Sequence, residues 1–329
     1  MSIRIAGTGS YLPERILTNA DLEKMVDTSD EWIRTRTGIS ERHIAADDQC
    51  TSDLAAEAAR KAIEAAGITS DDIDAVIVAT CTPDHTFPNT AAIVQNKLKL
   101  KKAFCFDLSA ACCGFLSALE AGCGIMLSNK KYRHVLVIGA EKLSTIVNWE
   151  DRSTCVLFGD GAGAVVLEHI GDGTDNVLVA SDMNADGSWA EILKLPAGGS
   201  ANPATAQTVE KRMHFIHMQG QETFKLAVNA MVSACRKVEE EAGISIPDDV
   251  KCVIPHQANI RIIQAVAKRI GISEEQVICN IERYGNTSAA SVAIGLDEAV
   301  RTGKLQRGDL ALLASFGSGL VWGAQLLRY

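Results

Sequence analysis

Three short segments of the chain place reactive side chains among small residues. They are Ala110-Ala111-Cys112-Cys113-Gly114-Phe115, Val253-Ile254-Pro255-His256-Gln257-Ala258-Asn259 and Arg283-Tyr284-Gly285-Asn286-Thr287-Ser288. Cys112 falls where a short apolar run, Phe104 to Leu108, gives way to a helical pattern. At such a junction unpaired backbone N–H groups and the helix dipole favour a thiolate, and a thiolate is a nucleophile. The same N–H groups can hold the oxyanion formed when it attacks a carbonyl. His256 directly follows Pro255 at the end of another apolar run, and Asn286 lies in a glycine turn. Taken singly, each has an ordinary structural reading: a packed thiol, a hydrogen-bonded histidine, a turn asparagine.

What would bring the three together is a long internal repeat. Residues 59–68 (ARKAIEAAGI) return at 235–244 (CRKVEEEAGI), an offset of 176 residues. After each copy comes an acidic turn and a buried-strand pattern, Val76-Ile77-Val78 and then Cys252-Val253-Ile254. The register continues: Phe104 to Leu108 answers to an expected strand Val277 to Ile281, and Val135 to Ile138 to Leu310 to Leu313. A period this long marks two related half-domains rather than a solenoid. On this register Cys112 and Asn286 are pseudo-equivalent, and packing about a pseudo-twofold axis would bring Cys112, His256 and Asn286 into one cleft. The division is expected near 171–173, giving halves 1–172 and 173–329.

Short Val/Ile/Leu-rich runs alternate with helical patterns throughout, which is the signature of an α/β chain whose strands are covered by helices on both faces. The helical spacing of Phe224, Ala227, Val228, Met231, Cys235 and Val238 ends at Gly243, a helix stop. Two glycine clusters, Gly7-Thr8-Gly9 and Gly159-Asp160-Gly161-Ala162-Gly163, do not open a helix onto a phosphate and are expected to serve tight turns.

The chain has 329 residues, 47% of them apolar, and a net charge of −9, which argues against a general nucleic-acid binder. No run approaches eighteen apolar residues and no secretion signal opens the chain, so a cytoplasmic protein without a membrane span is expected. The ten cysteines follow no disulfide spacing and are expected to be reduced. Two basic groups stand out, Arg34, Arg36 and Arg42, and then Arg261, Lys268 and Arg269 on one helical pattern.

The turn from Asp107 to Phe115, the Pro-His-Gln-Ala-Asn run at 255–259, Gly285 to Ser291 and Phe316 to Gly323 together resemble β-ketoacyl-acyl-carrier-protein synthase III. So do Glu31 to Ile39 and Phe158 to Gly163. The likeness spans the whole chain. It implies the thiolase fold, two pseudo-symmetric halves layered αβαβα, and a homodimer. It implies an acyltransferase that initiates type II fatty-acid synthesis. Acyl-CoA, with acetyl-CoA the expected primer, acylates Cys112; decarboxylative condensation with malonyl-acyl carrier protein follows, with His256 and Asn286 as hydrogen-bond donors.

By the same resemblance the backbone N–H groups of Cys112 and Ser318 hold the oxyanion, while Trp32, Arg36, Arg152 and Asn259 meet coenzyme A. Phe87, Leu143 and Leu157 line the acyl pocket, with Phe87 reaching across the dimer, and Arg261, Lys268 and Arg269 meet the acidic carrier protein. No cofactor is implied beyond the coenzyme A thioester substrate, no metal, and neither nucleic acid nor membrane as partner. Two residues depart from the pattern: Cys113 stands where relatives carry alanine and Ser318 where they carry glycine. The alternatives are a condensing enzyme of secondary metabolism with another primer or acceptor, and a non-catalytic scaffold for acyl chains or carrier protein. A biosynthetic thiolase would carry a second reactive cysteine near the carboxyl terminus, and none follows Cys279. A hydroxymethylglutaryl-type synthase would need a glutamate after the first buried strand, where Thr80-Cys81-Thr82 stands.

Overall fold

Alternation along the strands decides which side chains meet which layer. In the computed structural model, which describes residues 2–171, 173 and 176–329, Val76 and Val78 of the strand Ala75–Ala79 face outward. They pack, with Leu136, Ile138, Ala162, Ala164 and Val166 of neighbouring strands, on the helix Thr51–Ala65. Ala75, Ile77 and Ala79 point the other way, with Val135, Val137, Val165 and Leu167, into a central layer. That layer is formed by the helices Gly114–Ser128 and Ala290–Arg301. Cys252, Ile254, Ala311 and Leu313 of a second sheet close it from below, while Val253, Leu312, Ala314 and Leu326 face the outer helices Gly220–Ala242 and Ile260–Ile270. The result is the expected five-layer αβαβα stack.

The two sheets are topological copies. The first runs Ile3–Tyr11, Gly161–His169, His134–Glu141, Ala75–Ala79, Phe104–Leu108. The second runs Leu178–Ala185, Val321–Arg328, Leu310–Gly317, Cys252–Pro255. In both, the first two pairings are antiparallel and the next is parallel. The two similar sheets thus face each other across the central helix layer. Asp172, at the expected division, lies outside the described residues.

Three expectations are corrected. Val277 to Ile281 is no regular strand: only Val277 bridges to Val253, and Ile281–Tyr284 is a helical turn. The buried side chain of Gln257 takes the place of a strand partner, accepting from the N–H groups of Asn280 and Ile281 at 3.0 and 3.1 Å and donating to the carbonyl of Ile278 at 3.1 Å. Second, the left-handed residues before the two central helices are Ala111 (φ 45°) and Ser288 (φ 49°), and those helices begin at Gly114 and Ala290. Cys112 therefore matches Ala289, and Asn286 sits earlier in its turn. Third, Gly7 and Gly9 lie inside a strand. A Cβ on either would sit 2.4 Å from the carbonyl oxygen of Ala62 or Ala58, so they admit a close helix rather than a turn.

The window Ala111–Ser128 is long and apolar enough to cross a membrane by composition. Here it fills the central layer, with Phe115, Leu116, Ala118 and Leu119 fully buried. All ten cysteines are free.

Candidate active site

Cys112 sits in a tight turn, Ala111–Cys113, between the strand Phe104–Leu108 and the helix Gly114–Ser128. The backbone of Ala111 is left-handed (φ 45°), which is costly for a residue with a Cβ. Ser315 Oγ donates to the Cys112 carbonyl at 2.8 Å. Gly317 lies against the same backbone so closely that a Cβ there would be 2.7 Å from the Cys112 nitrogen.

Burial pushes the Cys112 thiol up to about 12; a hydrogen bond with Ser288 pulls the other way and the Glu141 carboxylate adds to the rise. Burial and the neighbouring carboxylate thus work against the expected thiolate, while the Ser288 hydrogen bond works for it.

His256 ends the strand Cys252–Pro255, its N–H bonded to the carbonyl of Ala314 at 2.8 Å. Its Nδ1 lies 2.6 Å from Ser291 Oγ. Burial lowers its pKa to about 3, so the imidazole is neutral. Asn286 is clamped through its backbone: its N–H donates to Leu157 O at 2.8 Å and its carbonyl accepts from Gly159 at 3.0 Å. Its Oδ1 accepts from the Ser288 N–H at 2.9 Å, which turns the amide NH₂ toward the open space.

Cys112, His256 and Asn286 line one cavity of 1030 Å³. Ser318, Leu143, Leu157, Trp32, Arg36, Asn259 and Arg261 line it too. The left-handed φ near the Ser318 turn falls on Gly319 (142°), so a serine is accommodated, and its hydroxyl donates to the carbonyl of Leu193. Cys113 is fully buried and its S–H donates to Val321 O at 3.1 Å.

Other expected positions are less simple. Arg152 lies with its guanidinium carbon 4.8 Å from the centre of the Trp32 ring, and Arg36 at 5.1 Å. Arg152 thus occupies the slot expected for a purine, tethered to the carbonyl of Asp27 at 2.8 Å. Asn259 caps the helix Ile260–Ile270 and donates to Arg36 O at 2.9 Å, joining two walls of the cavity mouth. Arg261 rests over Phe224, Arg269 donates to Asn229, and Lys268 is exposed on the same helix. Phe87 is 85% exposed and does not line the cavity of its own chain.

Several residues escaped the sequence reading. Arg42, grouped with surface arginines, is fully buried and donates to Leu17 O, Asn19 Oδ1 and Val156 O. The alternation of its strand Glu41–Ile44 could have shown this. Glu141 enters from the neighbouring strand to the place where the sequence offered no glutamate. Thr80, Cys81 and Thr82 all donate to its carboxylate, which leaves it an anchor for the loop beside Cys112. Burial raises its pKa, against those hydrogen bonds. Ser288 and Ser291 belong to a quoted motif, but their work is visible only in space. Among the described residues no cluster of His, Cys, Asp or Glu could hold a metal ion.

Two layered sheets and a cysteine held at the head of a central helix are the frame of thiolase-like condensing enzymes, and comparisons with known proteins narrow the class. The family model described as 3-oxoacyl-(acyl-carrier-protein) synthase III matches residues 106–187, and the one for its C-terminal part matches 240–329. A β-ketoacyl-(acyl-carrier-protein) synthase III from Caldanaerobacter subterraneus subsp. tengcongensis is 54% identical, over 99% of this chain and 97% of that relative. The crystal structure of 3-oxoacyl-(acyl-carrier-protein) synthase III from Aquifex aeolicus is 50% identical, with a TM-score of 0.90 and full coverage of both chains. A priming β-ketosynthase from a polyketide biosynthetic pathway is 36% identical, with a TM-score of 0.89 over 99% of this chain and 96% of that one. The chain belongs to the β-ketoacyl-acyl-carrier-protein synthase III family. As a member it is an acyltransferase, a condensing enzyme of fatty-acid biosynthesis.

Proposed function

We propose that Cys112 takes the acyl group of acyl-CoA and passes it to malonyl-acyl carrier protein. In the first half-reaction the Cys112 sulfur attacks the thioester carbonyl, the carbon–sulfur bond to coenzyme A breaks, and the thiol proton ends on the departing sulfur. The N–H groups of Cys112 and Ser318 hold the oxyanion. In the second, the malonyl carboxylate leaves as carbon dioxide, and the electron pair it releases spreads onto the thioester oxygen. His256 Nε2–H and the Asn286 NH₂ donate to that oxygen. The carbanion then attacks the acyl-Cys112 carbonyl, the bond to sulfur breaks, the released Cys112 sulfur takes up a proton from solvent, and 3-oxoacyl-acyl carrier protein departs.

The observation that carries this reading is that buried His256 and Asn286 line the same cavity as Cys112. Burial lowers the pKa of His256, which weakens it as a base and suits the neutral imidazole to a donor role. The direct check separates the halves. A Cys112→Ala variant is expected to keep decarboxylating malonyl-acyl carrier protein, while Asn286→Ala loses that activity by about 100-fold. Equal loss in both variants would contradict this division of labour.

Trp32, Arg36, Arg152 and Asn259 are assigned to coenzyme A, with Arg152 swinging off Trp32 to admit the purine. Arg261, Lys268 and Arg269 are assigned to the carrier protein, whose acidic surface needs a local basic face on a chain of charge −9. Leu143 and Leu157 wall the acyl group, and acetyl is the primer put forward; a primer series also tests the secondary-metabolism alternative, which the polyketide ketosynthase likeness supports. A homodimer is supported by the edge strand Phe104–Leu108, which has one neighbour, and by Phe104 and Phe87, 52% and 85% exposed. We assign halves 1–172 and 173–329 to the two copies of the repeat, and a cytoplasmic location.

A further inference from the structure

The donor role of His256 requires its proton on Nε2, and an imidazole carries only one proton when neutral. The structure contains the group that settles where it sits. Ser291 Oγ is 2.6 Å from His256 Nδ1, and both residues are buried. The backbone N–H of Gln257 points at the same oxygen at 3.4 Å, filling one of its acceptor positions. Among the described residues the Ser291 hydroxyl has no other acceptor than Nδ1 for its own proton. If Nδ1 carried the proton, that hydroxyl hydrogen would be buried without a partner, which is unfavourable.

We infer that Ser291 is a positioning residue: its hydroxyl donates to Nδ1 and thereby holds His256 as the Nε2–H tautomer that the decarboxylation step needs. The serine is well placed for this. It lies in the first turn of the central helix Ala290–Arg301, its N–H bonded to Ser288 O at 3.1 Å, so the hydroxyl is fixed by the helix. The same short turn orients the second donor, since the Ser288 N–H takes the Asn286 oxygen and leaves its NH₂ outward. One loop-to-helix junction thus sets the polarity of both groups that face the malonyl thioester oxygen. This inference deepens the proposed function and rests on it for the identity of the step.

The test has two readouts on the intact enzyme. In protein labelled with ¹⁵N-histidine, with His256→Gln used to assign the signal, His256 is expected to show a protonated Nε2 and an unprotonated, hydrogen-bonded Nδ1 from pH 5 to pH 8. A protonated Nδ1 would overturn the inference. Kinetically, Ser291→Ala is expected to lower malonyl-acyl carrier protein decarboxylation about tenfold, the worth of one buried hydrogen bond. Acylation of Cys112 by acyl-CoA should stay within about threefold, because no donor of that half-reaction is touched. Equal losses in both half-reactions, or no loss in either, would also overturn it. If the wild-type enzyme takes no acyl group from any acyl-CoA, the functional reading fails, while the tautomer measurement still answers for Ser291.

Discussion

Lowering the pH should expose how strongly the fold resists charging His256. Burial holds this imidazole near 3 in the folded protein against 6.5 in a solvated one. The folded state therefore releases a proton that the unfolded chain binds between those values. Stability from this group is complete above pH 6.5 and is lost progressively as the pH falls toward 3. At pH 5 the loss comes to about 2 kcal/mol, from 1.36 kcal/mol per pKa unit over the 1.5 units below 6.5. For a chain of this length that is about 3 °C in melting temperature. The measurement compares wild type with His256→Gln, which cannot titrate, at pH 7.5 and pH 5.0. Wild type should lose about 3 °C more than the variant between the two conditions. In parallel, decarboxylation by the Cys112→Ala variant should show no inflection near pH 6.5. Equal melting shifts together with an inflection at 6.5 would refute the picture of a buried, neutral donor.

Other expectations follow from contacts of single atoms. A Gly317→Ala substitution puts a methyl 2.7 Å from the Cys112 nitrogen, so the two backbones must part. Acyl transfer to Cys112 should fall by about 100-fold through the displaced oxyanion donor. Decarboxylation and melting temperature should change far less, and a variant acylated at the wild-type rate would show that this N–H is not used. A charge at the exposed sheet edge, Phe104→Asp, should convert a dimer to monomer in sedimentation. A dimer that persists would place the interface elsewhere.

How much of this was legible beforehand depends on the range of the interaction. The duplicated architecture was readable because its signals are local: apolar runs such as Val76-Ile77-Val78, a helix stop at Gly243 and a fixed offset between copies. The convergence of Cys112, His256 and Asn286 followed from that duplication even though the assumed equivalence of Cys112 with Asn286 was off by about three residues. What escaped was set through space. Gln257 replaces a strand's hydrogen bonds by a side chain, and Gly7 and Gly9 are small because a helix from fifty residues away presses on them. Glu141 meets Thr80 to Thr82 only because two strands are neighbours, and no spacing in the sequence announces that contact. Arg42 was missed for a different reason. Its charge suggested the surface, while the two-residue period of its strand pointed inward.

The central claim is that Cys112 is the acyl acceptor, and intact mass after mixing the protein with acetyl-CoA tests it most directly. A gain of one acyl group that is absent in Cys112→Ala, with longer acyl-CoAs run alongside to read the primer, is the expected result. No adduct from any acyl-CoA, or an adduct that survives in Cys112→Ala, would contradict it.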